Sequence, residues 1–512
     1  MKEKEMQKSK INRRDFVKSA GAGAAVVSLE GFFGLANSKQ TAISNRPLAQ
    51  KKPNVIIIFC DQLRSFTVGC YGNQFVKTPN IDRLAKNGFR FEQGITNSPV
   101  SVSARSNLLS GQYSRTSAGS RANEMSKESG GSLFGRNDRM KFKDPTIAEE
   151  FKKLGYKTAQ IGKWHIDTRP SLVGFDESLI TAGTIFTNGR FSKNEDTPYP
   201  VPGFTTDHEI TKAKEFISAN KNSEKPFFLY YNIISPHMPI LDVPYKYSHM
   251  YNPKEVPLRD NVWKDGVLAR DEQWFHIYMW QTFYNKDYQP LTAKTSSDFT
   301  LRELTALYYG SVTWVDDTVG EIMKSLKENG LEDNTLILFT SDHGDMLGSQ
   351  HMWNKDRLYE EAIRVPMIYS WPGMIKPDEN SDQIATLIDI MPTLLDLCGG
   401  TIPGTVQGQS LMPVLYGHKD RPGKDYVFIE TPYGEMGIRT LTHVYGILSN
   451  KEDTAIVDDR YLFYDLKEDP YEFKNLAKTN KSAAIANDLR ERLIKWDKDT
   501  PRLKGIDYKP WA

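Results

Sequence analysis

The sequence predicts an α/β fold: a large mixed, mostly parallel sheet flanked by helices, followed by a smaller C-terminal antiparallel sheet with one helix. Apolar runs rich in β-branched residues recur along the chain and are typical of strands buried on both faces. Amphipathic helices separate these runs, and from about Asp425 the pattern changes to short strand-like segments. Strands that alternate with helices form a doubly wound sheet, which binds ligands at the carboxyl ends of its strands.

The bulk composition excludes several classes of protein. Hydrophobic residues make up 39% and charged residues 25% of the 512 residues, as in an ordinary globular protein. A net charge of +2 gives no basic field, so we expect no nucleic-acid partner. Cys60, Cys70 and Cys398 are too sparse for a disulfide framework and lack the paired spacing of a zinc site. A chain of this length exceeds one ordinary core, so a smaller unit should accompany the large domain.

The N-terminal segment differs from the rest of the chain. Arg13 and Arg14 stand before a weakly apolar run of small residues, which is typical of a twin-arginine export signal. The alternative is a basic amphipathic arm. The apolar run is short and is interrupted by Glu30, so we expect no stable membrane span. We predict a periplasmic or secreted protein that leaves the cytoplasm through the twin-arginine export machinery.

Four predicted strands of the large domain each end at polar residues. They span 53–60, 156–161, 226–234 and 335–340, and lead to Asp61-Gln62, Gly162-Lys163-Trp164-His165, Ser235-Pro236-His237 and Ser341-Asp342-His343. Helices are expected between the strands. One has Asp144 as its cap, Pro145 at its first position and Gly155 at its end, and another runs from about 301 to 329.

The chain divides into four predicted parts: a twin-arginine signal peptide over 1–38, a linker over 39–52, a catalytic α/β domain over 53–424 and a C-terminal α+β subdomain over 425–512. In the last part, strands are expected at 426–430, 444–449 and 461–466, and a helix at 483–496. The stretch 239–299 is dense in aromatic and charged residues without a clear period, so we expect irregular insertions bordering a substrate cleft. Its Trp274, Tyr278 and Trp280 are candidates for stacking on sugar rings, or for packing.

The most informative segment is Ser101-Val102-Ser103-Ala104-Arg105, which continues to Ser110-Gly111. A residue at the start of a helix faces converging backbone N–H groups and the positive end of the helix dipole, a combination that favours an anion. Arg105, one turn on, can direct a planar fork of donors at a sulfate oxygen or at a modified side chain. The alternative for this segment alone is a serine-rich capped loop.

The segment resembles the signature of the type I sulfatases, formylglycine-dependent members of the alkaline phosphatase superfamily. Ser101, Arg105 and Ser110-Gly111 match that signature, and Ser103 replaces its usual proline. The resemblance extends over most of residues 53–480. It implies that Ser101 is converted to formylglycine and that the chain is a serine-type sulfatase, a sulfuric ester hydrolase.

The same resemblance implies a metal site. Asp61 and Gln62 stand where the family usually has two adjacent aspartates, and Asp342-His343 match its second metal pair. With an oxygen from modified Ser101, these side chains would hold one hard divalent cation, and the resemblance implies Ca²⁺. Gln62 carries one negative charge less than the aspartate it replaces, so it is either a ligand or a neighbour of the cation. The alternative for Asp342-His343 is a turn with a packed histidine.

Four further residues match catalytic positions of the family. By resemblance, Lys163 and Lys355 bind oxygens of the sulfate group, His165 holds or deprotonates the formylglycine hydroxyl, and His237 protonates the leaving alcohol. Each of these residues taken singly is more often a solvated lysine or a packed histidine. Their joint occurrence, in family order and behind strands, favours the catalytic interpretation.

A serine hydroxyl is a weak nucleophile toward an anionic sulfate ester at neutral pH, so the nucleophile has to be changed. Oxidation of Ser101 to an aldehyde, followed by hydration, supplies an oxygen that a cation can activate. Ser101 should be buried once the sheet forms, so we expect its oxidation before or during folding. Because the twin-arginine route carries folded proteins, the predicted partner is a cytoplasmic serine-type maturation enzyme of the radical iron–sulfur class.

Two alternatives stay open at this point. A phosphonate or phosphate monoester hydrolase of the same superfamily would use unmodified Ser101 and paired zinc ions, although the sequence offers no adequate second set of ligands. A polysaccharide-binding protein on a degenerate scaffold would leave Ser101 unmodified and bind no metal. The expected substrate is a sulfated small molecule or carbohydrate, and export together with the aromatic insertion favours a carbohydrate.

Overall fold

The computed structural model describes residues 51–119, 142–182, 186–238, 240, 243–264, 266–269, 300–418, 423–450 and 455–503. The predicted signal peptide and the aromatic residues Trp274, Tyr278 and Trp280 lie outside the described residues. Ala49–Ala512 form one compact unit. In the described part of the chain, no helix combines the length and the apolar character needed to span a membrane.

The fold is built on a ten-stranded mixed sheet. Its strands are β1 (Asn54–Asp61), β2 (Phe89–Ile95), β3 (Lys157–Lys163), β4 (Glu177–Thr181), β5 (Arg190–Lys193), β6 (Tyr199–Pro200), β7 (Phe227–Pro236), β10 (Thr335–Ser341), β11 (Met367–Ser370) and β12 (Glu379–Thr386). They lie in the order β12-β2-β11-β10-β1-β7-β3-β4-β5-β6. A separate hairpin consists of β8 (Trp263–Lys264) and β9 (Val267–Leu268).

The central strands β10, β1, β7, β3 and β4 run parallel to one another. Antiparallel pairing appears toward the edges, between β10 and β11 and between β4 and β5. Every residue of β1 and β7 is buried, as their continuous apolar runs predict for strands covered on both faces. The predicted fold class, a large mixed sheet flanked by helices, is therefore confirmed.

Helices cover both faces of the sheet. They are α1 (Pro79–Lys86), α2 (Ser101–Ser110), α3 (Ser114–Ser117), α4 (Ile147–Lys153), α5 (Thr205–Ala219), α6 (Tyr245–Ser248), α7 (Leu301–Glu328), α8 (Glu360–Ile363), α9 (Ile390–Leu397), α10 (Met412–Leu415) and α11 (Ala483–Asp499). Successive residues of a strand point to opposite faces. Phe227 of β7 packs on Phe216 of α5, and Phe228 stacks on Phe151 of α4, so α5 and α4 lie on opposite sides.

Capping residues set where two of these helices begin. Thr300 caps α7, and its hydroxyl accepts from the N–H of Glu303 while the carboxylate of Glu303 accepts from the N–H of Thr300. Helix α4 uses the same reciprocal pair, Thr146 and Glu149. The predicted cap at Asp144 with Pro145 at the first helical position was therefore wrong by two residues, because a threonine with glutamate three residues later satisfies two backbone donors at once.

The C-terminal part contains a four-stranded antiparallel sheet in the order β13 (Tyr426–Glu430), β14 (Glu435–Thr440), β15 (His443–Ser449) and β16 (Ile456–Asp465). The sequence predicted three of these strands and missed β14, a short segment that contains Gly437 and the charged residues Glu435 and Arg439. Met436 and Ile438 of β14 pack with Leu493 and Trp496 of α11 in one apolar cluster. The predicted antiparallel sheet with one helix is present.

A buried arginine joins this sheet and α11 to the rest of the unit. Arg115 of α3 lies 2.6 Å from the carboxylate of Glu430 at the end of β13 and 2.7 Å from that of Asp497 on α11. Its guanidinium also lies over the ring of Trp496, at 4.1 Å from the centroid. One side chain thus links three elements just beyond α2, the helix that carries Ser101.

Candidate active site

Four neighbouring parallel strands bring polar residues to one edge of the sheet. Asp61 ends β1, Lys163 ends β3, His237 follows β7, and Asp342-His343 follow β10. Adjacent strands end almost level with one another, since Cys60 pairs with Ser341 across β1 and β10. The edge therefore gathers side chains that are widely separated in the sequence.

Ser101 begins α2 at this edge. Val100 before it is extended, with φ −146°, so the chain turns sharply into the helix at Ser101. Ser101 is 0% exposed. Its Oγ lies 3.3 Å from each carboxylate oxygen of Asp61, 3.1 Å from Nε2 of His343 and 3.4 Å from Nζ of Lys355. The hydroxyl at position 101 is thus in contact with groups from three other segments.

Asp61, Asp342 and His343 form a candidate metal site. One ligand atom from each residue lies within 4.8 Å of the others, and all three side chains are buried. Nδ1 of His343 is 2.8 Å from the carbonyl of Gly344 and donates to it, which leaves Nε2 as an acceptor facing Ser101. Two carboxylates and one unprotonated imidazole nitrogen are a donor set that fits a divalent cation. This is the one such group among the residues that the structure describes.

The electrostatics of the two carboxyl groups favour a bound cation. Burial raises the pKa of a carboxyl group, but the positive charges around Asp61, Lys163 foremost, hold its pKa well below its usual range. Burial and the negative charge of Asp61 raise the pKa of Asp342. Two carboxylates in a dry place repel each other, and a divalent cation between them would remove that repulsion.

Arg105 braces the same two carboxylates from inside the fold. Its Nη2 donates to Asp61 Oδ2 at 3.0 Å and to Asp342 Oδ2 at 3.3 Å. Its Nη1 donates to Asn232 Oδ1 at 2.7 Å and to the carbonyl of Lys163 at 3.2 Å. Arg105 is fully buried, so its fork fixes the carboxylates rather than reaching toward solvent.

Lys163 and His165 enter the site from the end of β3. Nζ of Lys163 lies 2.6 Å from Oδ2 of Asp61. Burial lowers the pKa of Lys163. Burial, and after it the positive charge of Lys163, holds the pKa of His165 well below its usual range. His165 has a left-handed backbone, φ 49°, and its buried Nδ1 has no hydrogen-bond partner within the described part of the chain. A neutral imidazole is a proton acceptor, and the base role of His165 stays a prediction.

Lys355 contacts Ser101, and His237 contacts Lys355. Nζ of Lys355 lies 3.3 Å from Nε2 of His237. Nδ1 of His237 donates to the carbonyl of Met238 at 2.6 Å, so Nε2 is the nitrogen that faces the site. Burial, followed by the charge of Lys163, lowers the pKa of His237 well below its usual range. The low pKa favours the neutral form of His237.

Asp345 and Asn354, which contact Gln62, were not singled out from the sequence. The side-chain Nε2 of Gln62 donates to Oδ2 of Asp345 at 2.6 Å and to Oδ1 of Asn354 at 3.1 Å. Its Oε1 faces Nζ of Lys355 at 3.5 Å. Asp345 lies three residues after Asp342 in the motif, and Asn354 directly precedes Lys355, so their proximity to predicted site residues was the available signal.

The arrangement can bind and activate a tetrahedral anion. The Ser101 hydroxyl lies at the start of α2, next to the candidate cation site and to Nζ of Lys355. Lys355 in turn contacts His237, and Lys163 contacts Asp61, so further positive and proton-carrying groups lie close by. Every predicted site residue lies at this edge. The charges of the other site residues shift the pKa of His165. Its Nδ1 has no hydrogen-bond partner among the described residues.

Two family models match the chain. The family model described as Sulfatase matches residues 53–400, and that described as N-sulphoglucosamine sulphohydrolase, C-terminal, matches residues 348–499. The arylsulfatase of Clostridium perfringens is 29% identical, over 87% of this chain and 94% of its own length. The N-acetylglucosamine-6-O-sulfatase of Bacteroides thetaiotaomicron is 28% identical, over 83% of each chain.

A solved structure shares the fold. It is the structure of a protein in complex with its substrate D-glucosamine-2-N,6-O-disulfate, and it superposes with a TM-score of 0.73 at 24% identity. The match covers 89% of this chain and 100% of that one. The large sheet and the C-terminal sheet are therefore parts of one known architecture.

Proposed function

Because the chain belongs to the sulfatase family, we propose that it hydrolyses a sulfate ester on a carbohydrate, using formylglycine made from Ser101 and one bound divalent cation. Membership of the family makes the chain a sulfuric ester hydrolase, and sulfatases generally use a metal. The carbohydrate preference is supported by two of the similar proteins, one named for N-acetylglucosamine 6-O-sulfate and one solved with a glucosamine disulfate.

The observation that carries the proposal is the environment of one oxygen. Oγ of Ser101 lies 3.1 Å from Nε2 of His343, 3.3 Å from both oxygens of Asp61 and 3.4 Å from Nζ of Lys355. An ordinary structural serine needs one or two partners, whereas this one contacts two members of the candidate metal site and an ammonium group. Such an environment suits an oxygen that carries negative charge during a reaction.

The bound cation supplies charge that lowers the pKa of an oxygen on residue 101. Formylglycine supplies an aldehyde in place of the weakly nucleophilic serine hydroxyl. We propose Ca²⁺ as the cation, held by Asp61, Asp342 and His343, with Gln62 as a neutral neighbour or ligand. The imidazole nitrogen of His343 departs from the all-oxygen sets typical of calcium, so metal-replacement experiments should include Mn²⁺ and Zn²⁺.

Two lysines bind the sulfate group in this proposal. Nζ of Lys163, at the end of β3, contacts Asp61, and Nζ of Lys355, in the segment after β10, lies near Ser101. The two ammonium groups therefore come from different elements. Placed in this way, they balance the charge on the sulfate oxygens while the bond to the leaving alcohol breaks. Arg105 acts indirectly, by holding the carboxylates of Asp61 and Asp342 in place.

His237 gives the proton that the leaving alcohol needs. Its Nδ1 is committed to the carbonyl of Met238, so Nε2 is the nitrogen that must take up and release that proton. Burial and the charges of Lys163 and Lys355 lower the pKa of His237, which favours its neutral form. A bound sulfate offsets both lysine charges, which raises the pKa of His237 and lets it act as an acid.

The burial of Ser101 supports modification of an unfolded chain. Ser101 is 0% exposed and all of α2 is buried, so a modifying enzyme cannot reach the side chain after folding. We therefore propose that a cytoplasmic serine-type maturation enzyme of the radical iron–sulfur class removes two hydrogens from Ser101. The twin-arginine machinery then carries the folded protein to the periplasm or the medium.

The alternative, a phosphonate or phosphate monoester hydrolase with paired zinc ions, requires a second group of metal ligands. Among the described residues, Asp61, Asp342 and His343 are the one group of metal-ligating side chains, whereas paired ions need two such groups. In this proposal, Lys163 and Lys355 supply the positive charge that a second cation would otherwise provide.

Two measurements test the proposal. The exported protein is digested, and the peptide that contains Ser101 is analysed by mass spectrometry. Its mass should be lower than that of the unmodified peptide by two hydrogen atoms. The same protein is assayed on an aryl sulfate, an aryl phosphate and a panel of defined sulfated sugars. Turnover of a sulfated sugar by the modified protein supports the proposal. Unmodified serine in active protein, or a preference for the phosphate, refutes it.

A further inference from the structure

Asp345 accepts two hydrogen bonds, one on each carboxylate oxygen. Oδ1 accepts from the backbone N–H of Leu347 at 2.7 Å, and Oδ2 accepts from Nε2 of Gln62 at 2.6 Å. Asp345 is 0% exposed, so water cannot replace either donor. Neither of its bonds goes to Ser101, Asp61, Asp342 or His343, yet both are short and buried.

These bonds fix which way the side-chain amide of Gln62 faces. Asp345 and Asn354 both offer oxygen to the amide nitrogen, so the nitrogen of Gln62 must lie on their side. The amide oxygen then faces Nζ of Lys355, at 3.5 Å. The opposite orientation would place an N–H group against the ammonium group and a carbonyl oxygen against a carboxylate, which are two repulsive contacts.

We propose that Asp345 is a positioning residue, which orients the amide of Gln62 and thereby holds the ammonium group of Lys355 beside Ser101. The inference rests on the proposed function, since it gives Lys355 the task of binding the transferred anion. The chain of contacts is continuous: Asp345 to Gln62 at 2.6 Å, Gln62 to Lys355 at 3.5 Å, and Lys355 to Ser101 at 3.4 Å. Outer residues of this kind commonly tune an active site.

Asparagine cannot replace Asp345 in this role. A carboxylate accepts on both oxygens, whereas an asparagine amide has one oxygen and one nitrogen that donates. If the oxygen of the substituted asparagine keeps the N–H of Leu347, its nitrogen meets the nitrogen of Gln62 and forces that amide to turn over. The turned amide then presents N–H to Lys355 and displaces the ammonium group from the anion site.

The decisive experiment compares Asp345→Asn in two backgrounds. In the parent protein, D345N should lower kcat/KM by on the order of tenfold to a hundredfold, mainly through KM. In a Gln62→Glu background, the introduced glutamate meets the carboxylate of Asp345, so activity starts low. There D345N should raise kcat/KM, because the asparagine amide now donates to the glutamate and a carboxylate oxygen again faces Lys355. Total charge in Q62E/D345N equals that of the parent.

Asp316→Asn is the matched control. Asp316 is also 0% exposed, and its carboxylate accepts from the backbone of Asn80 and Ile81 and from the side-chain amide of Asn80. D316N should lower the melting temperature and leave KM and the inhibition constant of inorganic sulfate unchanged. D345N should raise both of these constants at temperatures where the variant is folded.

The inference is overturned if Q62E/D345N is no more active than Q62E, or if D345N alters the melting temperature but neither constant. If D345N alone does not fold, the pair Q62E and Q62E/D345N still decides. The kinetics use whichever of the aryl sulfate and the aryl phosphate the parent hydrolyses. The substrate preference of the parent protein tests the sulfatase proposal, and the variants test the role of Asp345, so the two can fail independently.

Discussion

Nζ of Lys163 lies 2.6 Å from Oδ2 of Asp61, and both side chains are almost wholly buried. Arg105 donates to the same oxygen at 3.0 Å. Oδ1 of Asp61 is left to face Ser101 and the imidazoles. One carboxylate therefore serves two purposes, because one oxygen holds cationic side chains and the other is available to a metal ion.

Lys163→Ala should separate catalysis from cation binding. We expect kcat/KM on an aryl sulfate to fall by on the order of a hundredfold, because one donor to the charged group is lost. We expect calcium to bind at least as tightly as before, since a positive charge next to Asp61 has been removed. Enzyme kinetics and calorimetric titration check the two parts.

Lys214→Ala is the control for that variant, because Lys214 pairs with Glu321 on the exposed surface and should change neither quantity. Weaker calcium binding by K163A would show that the positive charge of Lys163 does not oppose the cation.

Ser101→Ala should abolish turnover, by at least about a thousandfold, because alanine cannot be oxidised to the aldehyde. Ser103→Ala is the matched control, since Ser103 is also buried in the first turns of α2 and its hydroxyl has no hydrogen-bond partner within the described residues. S103A should retain most of the activity. If S101A kept measurable turnover of the aryl sulfate, residue 101 would not be the nucleophile.

Removal of the cation should lower stability as well as activity. Two buried carboxylates lose their common partner, so a chelator should reduce the melting temperature and added Ca²⁺ should restore it. A cation at a concentration of about a hundred times its Kd stabilises a fold by about 2.7 kcal/mol. Scanning fluorimetry with Ca²⁺, Mn²⁺ and Zn²⁺ would rank the metals. His343→Ala should lose the response, and a parent protein indifferent to the chelator would argue against a metal.

Glu209 should make the protein less stable as pH rises. Burial raises its pKa from the ordinary 4.5 to about 8, and the hydroxyl of Thr181 is its one hydrogen-bond partner within the described chain. Between these values the folded state binds one proton more than the unfolded state. The free energy of unfolding should therefore fall by about 1.4 kcal/mol per pH unit in this window and level off above it.

Glu209→Gln keeps the bond to Thr181 and removes the charge, so it should stabilise the protein at pH 8 and change little near pH 5. Melting temperatures across this range measure the effect, with Glu215→Gln on the exposed side of α5 as control. Equal pH profiles for the parent and E209Q would show that Glu209 does not titrate in this window.

The sequence identified the central strands, and the polar residues that follow them, for a simple reason. Strands buried on both faces are continuous apolar runs, and each of them stops where polar residues such as Asp61 or Asp342 begin. The roles of those residues came from the resemblance, because a lone Asp-His pair has several structural uses. Spacing alone would not have selected Lys163 or His237.

Other features depend on tertiary contacts that no local pattern contains. Strand β14 is held by neighbours on both sides, which outweighs the weak strand tendency of Gly437. The orientation of the Gln62 amide depends on Asp345, which is distant in sequence. Arg105 was predicted to direct its guanidinium at a sulfate oxygen or at the modified side chain of residue 101. Its partners in the structure are two carboxylates, an amide and a carbonyl, which no local pattern indicates.

The level ends of β1, β3, β7 and β10 also limit how this chain can evolve. A slip of one residue in any of these strands would turn its terminal side chain to the opposite face and scatter the reacting groups. Mutations that change substrate specificity must therefore accumulate in the segments beyond the strands, where insertions are tolerated. A protein engineer seeking a new specificity would keep the four strands intact and diversify those segments.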